Sequence, residues 1–139
     1  MTAKPSVLFL CVHNAGKSQM AAAIARHLAG DRVDVYSAGT QPDAEIHDLS
    51  AQAVAELGAD MASQVPTALD PALLTAVDRV VILGDEAQVQ PVPGMRAPMQ
   101  RWLIDDPGER GIEGMERVRL MRNHIDARVQ ALLGELLVV

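Results

Sequence analysis

The chain has 139 residues, 49 % of them hydrophobic and 22 % charged, and a formal net charge of −6. That length suits one domain, residues 1–139, with a core large enough to need no disulfide or metal staple. One cysteine, Cys11, excludes an internal disulfide, a C-x-x-C redox pair and a cysteine-rich zinc site; the histidines at 13, 27, 47 and 124 lack metal-ligand spacing, so no metal is expected. There is no Lys/Arg run, and the only aromatics are Phe9, Tyr36 and Trp102, which argues against nucleic-acid binding. The early apolar run, Val7 to Val12, is too short for a signal segment or a membrane span. The chain is therefore expected to be cytoplasmic, where thiols stay reduced.

The predicted elements alternate. Ser6–Cys11 is apolar throughout (Val7, Leu8, Phe9, Leu10), as a strand buried on both faces should be. Ser18–Leu28 reads as a helix, with Met20, Ala21, Ile24 and Leu28 at three-to-four spacing and Ser18 as its cap. Val33–Ala38 reads as a second strand closed by Gly39, and Leu49–Leu57 as a helix stopped by Gly58. Pro71–Ala76 is a short helix with proline in its first turn. Arg79–Leu83 is a third buried strand ended by Gly84, and Met99–Ile104 a weaker fourth. Ile112–Leu137 is the strongest helix, with Met115, Val118, Met121, Ile125, Val129, Leu132 and Leu136 on one stripe. Glu113 and Arg117 sit four apart on its other side as a favourable pair.

Apolar strands alternating with helices imply an α/β three-layer sandwich with a four-stranded parallel sheet. Ligands of such sheets sit at the carboxyl ends of the strands. The first connection there reads Cys11-Val12-His13-Asn14-Ala15-Gly16-Lys17-Ser18. The amides at a helix start are unpaired and partly positive, so this loop can cradle a tetrahedral oxyanion. Cys11 lies at the mouth of the cradle, where a helix N-terminus and a nearby cation favour the nucleophilic thiolate. Taken alone, a strand-end cysteine is more often a small buried hydrophobe. Gly16-Lys17-Ser18 also matches the end of a nucleotide P-loop, but that motif needs glycine where Cys11 stands.

Cys-x5-Lys-Ser after the first strand resembles the Cys-x5-Arg-Ser loop of the low-molecular-weight protein tyrosine phosphatase superfamily. Tyr36-Ser37-Ala38-Gly39-Thr40 is similar to its Ser-Ala-Gly-Thr, Gly58-Ala59-Asp60-Met61 to the Gly-Ile-Asp-Ile of its arsenate reductases, and Asp106-Pro107 to its Asp-Pro general acid. Together these motifs run from residue 6 to about 133. Two departures stand out. Lysine replaces arginine at 17 in a chain with ten arginines and two lysines, so the loop loses a planar two-pronged fork. The relay cysteines of the thioredoxin-linked enzymes are missing from Gly84–Gly94. Residues 11–22, 80–89, 101–102, 106–107 and 114–117 resemble the arsenate–mycothiol transferases, a family that joins arsenate to the thiol mycothiol before a mycoredoxin releases arsenite.

The resemblance implies arsenate detoxification, with arsenate as substrate (phosphate or sulfate as analogues) and mycothiol as co-substrate. No bound cofactor, nucleic acid or membrane partner is implied. Cys11 is the expected nucleophile, attacking arsenic directly or holding and polarising the oxyanion while mycothiol attacks. Lys17 is the expected anion clamp and Ser18 the thiolate stabiliser, within an anion-binding loop of Val12, His13, Asn14, Ala15, Gly16, Lys17 and Ser18. Asn14 organises the loop. Asp106 is the expected general acid, with Asp105 as its rival. His13 borders the anion or faces solvent; His27, His47 and His124 have structural or surface roles. Arg101 and Trp102 stand near the mouth, the tryptophan packed. Two other readings stay open: a tyrosine phosphatase acting on aryl phosphates, and an inactive anion-binding module. The net charge of −6 opposes an anionic substrate, so short-range groups must decide affinity.

Overall fold

The run Ser6–Cys11 is the strand that everything else packs around. The computed structural model describes residues 4–96 and 98–137, so residues 1–3, 97 and 138–139 of the expected 1–139 span lie outside it. It places β1 (Ser6–Cys11) between β2 (Asp34–Gly39) and β3 (Arg79–Leu83), with β4 (Met99–Trp102) beyond β3. All three pairings are parallel. Every residue of β1 is buried, because strands flank both its edges and side chains cover both its faces.

Alternation along β1 separates two cores. Val7 and Phe9, with Val81 and Leu83 of β3, face α1 (Lys17–Ala29), α2 (Asp48–Ala55) and α4 (Gly114–Leu136). Leu8, Leu10, Val80 and Ile82 face the other way, onto Leu74 of α3 (Pro71–Ala76), Val77 and Ala87. This is the expected three-layer sandwich with a four-stranded parallel sheet. Trp102 is packed as expected, its ring 5.9 Å from that of Phe9. Among the described residues no helix is long and apolar enough to cross a membrane.

Four details differ from the sequence reading. The fourth strand ends at Trp102 rather than Ile104. Its only partner, β3, stops at Leu83, which lies opposite Trp102, so the ladder has nothing left to pair with. Ser18 is not the cap of α1: Gly16 holds that position, no side chain caps it, and the Ser18 hydroxyl is used elsewhere. The limits of β2, α1, α2 and α4 move by one or two residues. Glu113 and Arg117 form no ion pair. Glu113 is the extended residue before α4, outside helical spacing, and Arg117 turns to Asp106 instead.

Two arginines of α4 tie it to α2. Arg119 Nη2 and Arg122 Nη1 each lie 2.6 Å from a Glu56 oxygen, and the buried Arg122 also donates to the Ala53 carbonyl at 2.9 Å. Hydrogen bonds from these two guanidinium groups lower the Glu56 pKa from 4.5 to about 2. A carboxylate more acidic when folded stabilises the fold above its ordinary value and loses that effect as pH falls through the folded one. The stability advantage of wild type over Glu56→Gln should therefore shrink as pH falls from about 4.5 towards 2, read by urea unfolding across that range. Ile125 is fully buried against the α1 face of the sheet. Ile125→Ala should cost about 2–5 kcal/mol in the same assay.

Candidate active site

The loop after β1 is held by its carbonyls. The peptide oxygens of Cys11, Val12, His13 and Ala15 accept from the backbone N–H groups of Thr40, Gln41, Asp43 and His47, at 3.2, 2.8, 2.9 and 2.8 Å. A trans peptide carries its N–H opposite its C=O. The N–H groups that follow these carbonyls are therefore turned the other way, into a concave nest suited to an anion. One of them, Asn14 N–H, donates to Cys11 Sγ at 3.2 Å.

Asn14 shapes this nest. It is fully buried and adopts φ 50°, a left-handed conformation that asparagine tolerates. Its Oδ1 accepts from Gln19 Nε2 at 3.1 Å and from Thr67 N–H at 2.9 Å. Its Nδ2 donates to Ser18 Oγ at 2.7 Å. Ser18 Oγ also lies 2.9 Å from Cys11 Sγ, and once the sulfur is a thiolate, with no proton to give, the hydroxyl is the donor of that contact. Two donors then converge on the thiolate, one from the Asn14 backbone and one from Ser18. Gly39 makes the close approach possible. A Cβ there would lie 2.6 Å from the Val12 oxygen and 2.9 Å from Asn14 Cβ.

A cavity of about 370 Å³ opens over Cys11. Val12, His13, Ala15, Gly16 and Lys17 line it, while Asn14 and Ser18 are fully buried beneath. Lys17 reaches toward Gly84, where an added Cβ would lie 3.6 Å from Nζ. Gly84 sits at φ +89°, so the turn after β3 needs glycine there. His13 Nδ1 lies 3.1 Å from Asp43 Oδ1, both groups being well exposed.

Asp106 has a setting that sequence alone does not foresee. Arg117 Nε and Nη2 donate to its two oxygens at 2.8 and 2.7 Å, and Gly108 N–H donates at 2.9 Å. These bonds, the arginine pair first, hold its pKa down at about 2. A general acid must carry a proton, and this carboxylate is ionised in the observed arrangement. Arg117, and not Asp106, lines the Cys11 cavity. Asp105 is likewise ion-paired, with Arg110 at 3.0 and 2.9 Å, and that pairing lowers its pKa.

His47 and Ser50 also line the cavity, their Nδ1 and Oγ 2.7 Å apart. The sequence reading gives His47 a structural or surface role, does not single out Ser50, and pairs Arg117 with Glu113 instead of placing it at the site. The only signal was the Gly114–Arg117 segment, which carried no chemistry without its partner Asp106. His27 lies beside Gly58, and His124 accepts from the Asp105 N–H; neither lines the cavity. Arg101 donates to the Gly84 and Ala87 carbonyls at 2.7 and 2.9 Å, pinning the segment after β3. Among the described residues no three His, Cys, Asp or Glu side chains converge as metal ligands would.

Residues 6–137 match the model of the low molecular weight phosphotyrosine protein phosphatase family. The chain belongs to this family. A relative in Shouchella clausii, an arsenate reductase, is 35 % identical over 136 residues, 91 % of this chain and 94 % of that protein. Among solved structures, the thioredoxin-dependent arsenate reductase of Corynebacterium glutamicum superposes with a TM-score of 0.79 at 32 % identity. The match covers 97 % of this chain but 63 % of that one, so the chain spans less than two thirds of that protein's length. A tyrosine phosphatase of Erwinia amylovora shares the fold, at a TM-score of 0.76 and 14 % identity.

Within this family fold, Gly39 is the most direct handle on the cradle. Gly39→Ala should push the Val12–Asn14 turn out of place while leaving the sheet intact. Calorimetric titration with arsenate should show at least about tenfold weaker binding with an unchanged far-UV circular dichroism spectrum. Unchanged affinity would mean that the turn does not set the anion site.

Proposed function

We propose that the chain is an arsenate reductase that works by transferring arsenate to a small thiol, with mycothiol as the co-substrate. The observation that carries the reading is the convergence of Asn14 N–H and Ser18 Oγ on the lone sulfur of Cys11, at 3.2 and 2.9 Å, at the floor of the amide nest. The arsenate reductases among its relatives support the activity. The nest binds the oxyanion through backbone N–H groups of residues 12–18, and Lys17 adds a point charge.

In the proposed reaction Cys11 attacks arsenic, an As–S bond forms, and an As–O bond breaks with the oxygen leaving as water. Arsenic stays pentavalent. The thiolate of mycothiol then attacks arsenic, the As–S bond to Cys11 breaks, and arseno-mycothiol leaves with Cys11 restored. Reduction follows when a second thiol, supplied by a mycoredoxin, attacks the mycothiol sulfur; two thiols become a disulfide and arsenite departs with the electron pair. Asp106 is the proposed acid for the departing oxygen, which requires that its bond to Arg117 opens. The thiol count supports an external thiol: with Cys11 alone, the chain has no second thiol of its own.

The test is arsenite production from arsenate with mycothiol and mycoredoxin, with thioredoxin, and with glutathione and glutaredoxin, side by side. The mycothiol system should give a rate at least about a hundredfold above the protein-free control, and Cys11→Ser should abolish it. Equal or greater turnover with thioredoxin, the partner named for the Corynebacterium glutamicum protein, would overturn the mycothiol assignment. Turnover of an aryl phosphate exceeding that of arsenate would make the protein a phosphatase.

A further inference from the structure

Arg117 stands between two partners. Its fork grips both oxygens of Asp106, yet its side chain also lines the cavity over Cys11, from which Asp106 is excluded. Gly108 makes this placement possible, since a Cβ there would lie 2.8 Å from Arg117 Nε and 3.1 Å from Cζ. Arg117 and Asp106 side chains are 43 % and 31 % exposed, so the pair can open without disturbing the core. The anion loop itself has lost its fork to Lys17, and Arg117 is the arginine among the residues lining the cavity. A planar fork that fits a carboxylate fits a tetrahedral oxyanion in the same two-pronged way.

We propose that Arg117 exchanges partners, holding Asp106 while the cavity is empty and moving its fork to the oxyanion when one binds, so that Asp106 is released to carry the proton for the departing oxygen. This rests on the arsenate reading above. The protons balance. Bound dihydrogen arsenate passes one proton to the released Asp106. Attack by the Cys11 thiolate forms the S–As bond and breaks the As–OH bond, and Asp106 returns the proton to the leaving hydroxide as water. No electrons are transferred to arsenic in this step. The charged groups around Asp106 are Arg117 and Glu113 at the start of α4, Lys17 at the start of α1, and Asp105 and Arg110 on its own segment. The hydrogen bonds from Arg117 first, then the Gly108 N–H, with a smaller pull from Lys17, hold the carboxyl at about 2; withdrawing Arg117 removes the largest of these influences.

The experiment uses the full chain as Cys11→Ser, which should bind arsenate without turning it over. The carboxyl carbon of Asp106 is followed by NMR against pH, with and without saturating arsenate, and assigned from the signal missing in Asp106→Asn. Without arsenate it should titrate near 2. With arsenate it should move up into the ordinary carboxylate range or higher. In the same background Arg117→Lys, which keeps the charge and loses the fork, should bind arsenate about tenfold or more weakly. Bound arsenate with an unmoved Asp106 titration overturns the exchange and leaves the arsenate reading standing. Unchanged affinity in Arg117→Lys also overturns it. Failure of Cys11→Ser to bind arsenate at all, as judged by calorimetry, overturns both.

Discussion

The carboxamide of Asn14 is the interaction on which the site depends. It is buried, it sits on a left-handed residue, and its two ends bind three residues from two separate parts of the chain. Through Gln19 and Ser18 it fixes the first turn of α1. Through Thr67 it fixes the segment that runs beside the end of β2, where Gly39 and Ala68 form a bridge. Through Ser18, and through its own backbone N–H, it fixes what surrounds the Cys11 sulfur. A buried amide bonded at both its oxygen and its nitrogen favours one geometry, because breaking those bonds leaves polar groups unpaired. The sheet supplies the rigid platform for this, since β1 is clamped on both edges and ends at Cys11.

The distribution of charge follows the same logic of short range over long range. The chain is acidic overall, and Asp43, Asp85 and Glu86 stand around the cavity. Such a rim slows the approach of an anion. Yet several of the acids nearby are already engaged: Asp106 by Arg117, Asp105 by Arg110, and Asp43 lies against His13. In the proposed reaction the groups that meet the oxyanion directly are amides, Lys17 and Arg117. Contacts at hydrogen-bond distance outweigh charges that salt screens beyond roughly 8–10 Å.

How much of this could be read from the sequence depended on whether the cause was local. The strands were legible because β1 and β3 are apolar throughout, which only a doubly covered sheet requires. The loop was legible because a cysteine, small residues and a lysine stand between a strand and a helix. Gly39 was legible as part of a motif, though its reason, the 2.6 Å approach to the Val12 oxygen, is a fact of tertiary contact. Ser18 reads in the sequence both as a helix cap and as a partner for the thiolate; the structure uses its hydroxyl against the sulfur seven residues back and not as a cap. Arg117 was assigned to Glu113 by helical spacing, but Glu113 lies outside the helix and Asp106 lies across the fold. His47 and Ser50 reach the cavity because residues 40–47 drape over the loop through backbone bonds, and backbone bonds leave no mark on residue identity. The end of β4 was set by its neighbour's length, which no property of residues 103–104 encodes.

The fork of Arg101 has a kinetic consequence. By gripping the carbonyls of Gly84 and Ala87 it makes the segment after β3 a fixed wall of the cavity. A chain that delivered its own second sulfur to Cys11 would need such a segment to swing inward, and its rate would be first order, set by that motion. In the proposed reaction the sulfur arrives from solution past this fixed wall, and the delivery step is an encounter between two molecules. Its speed then rises with the concentration of free thiol in the cell until the site is saturated, and the protein's throughput becomes a readout of the cell's reducing pool.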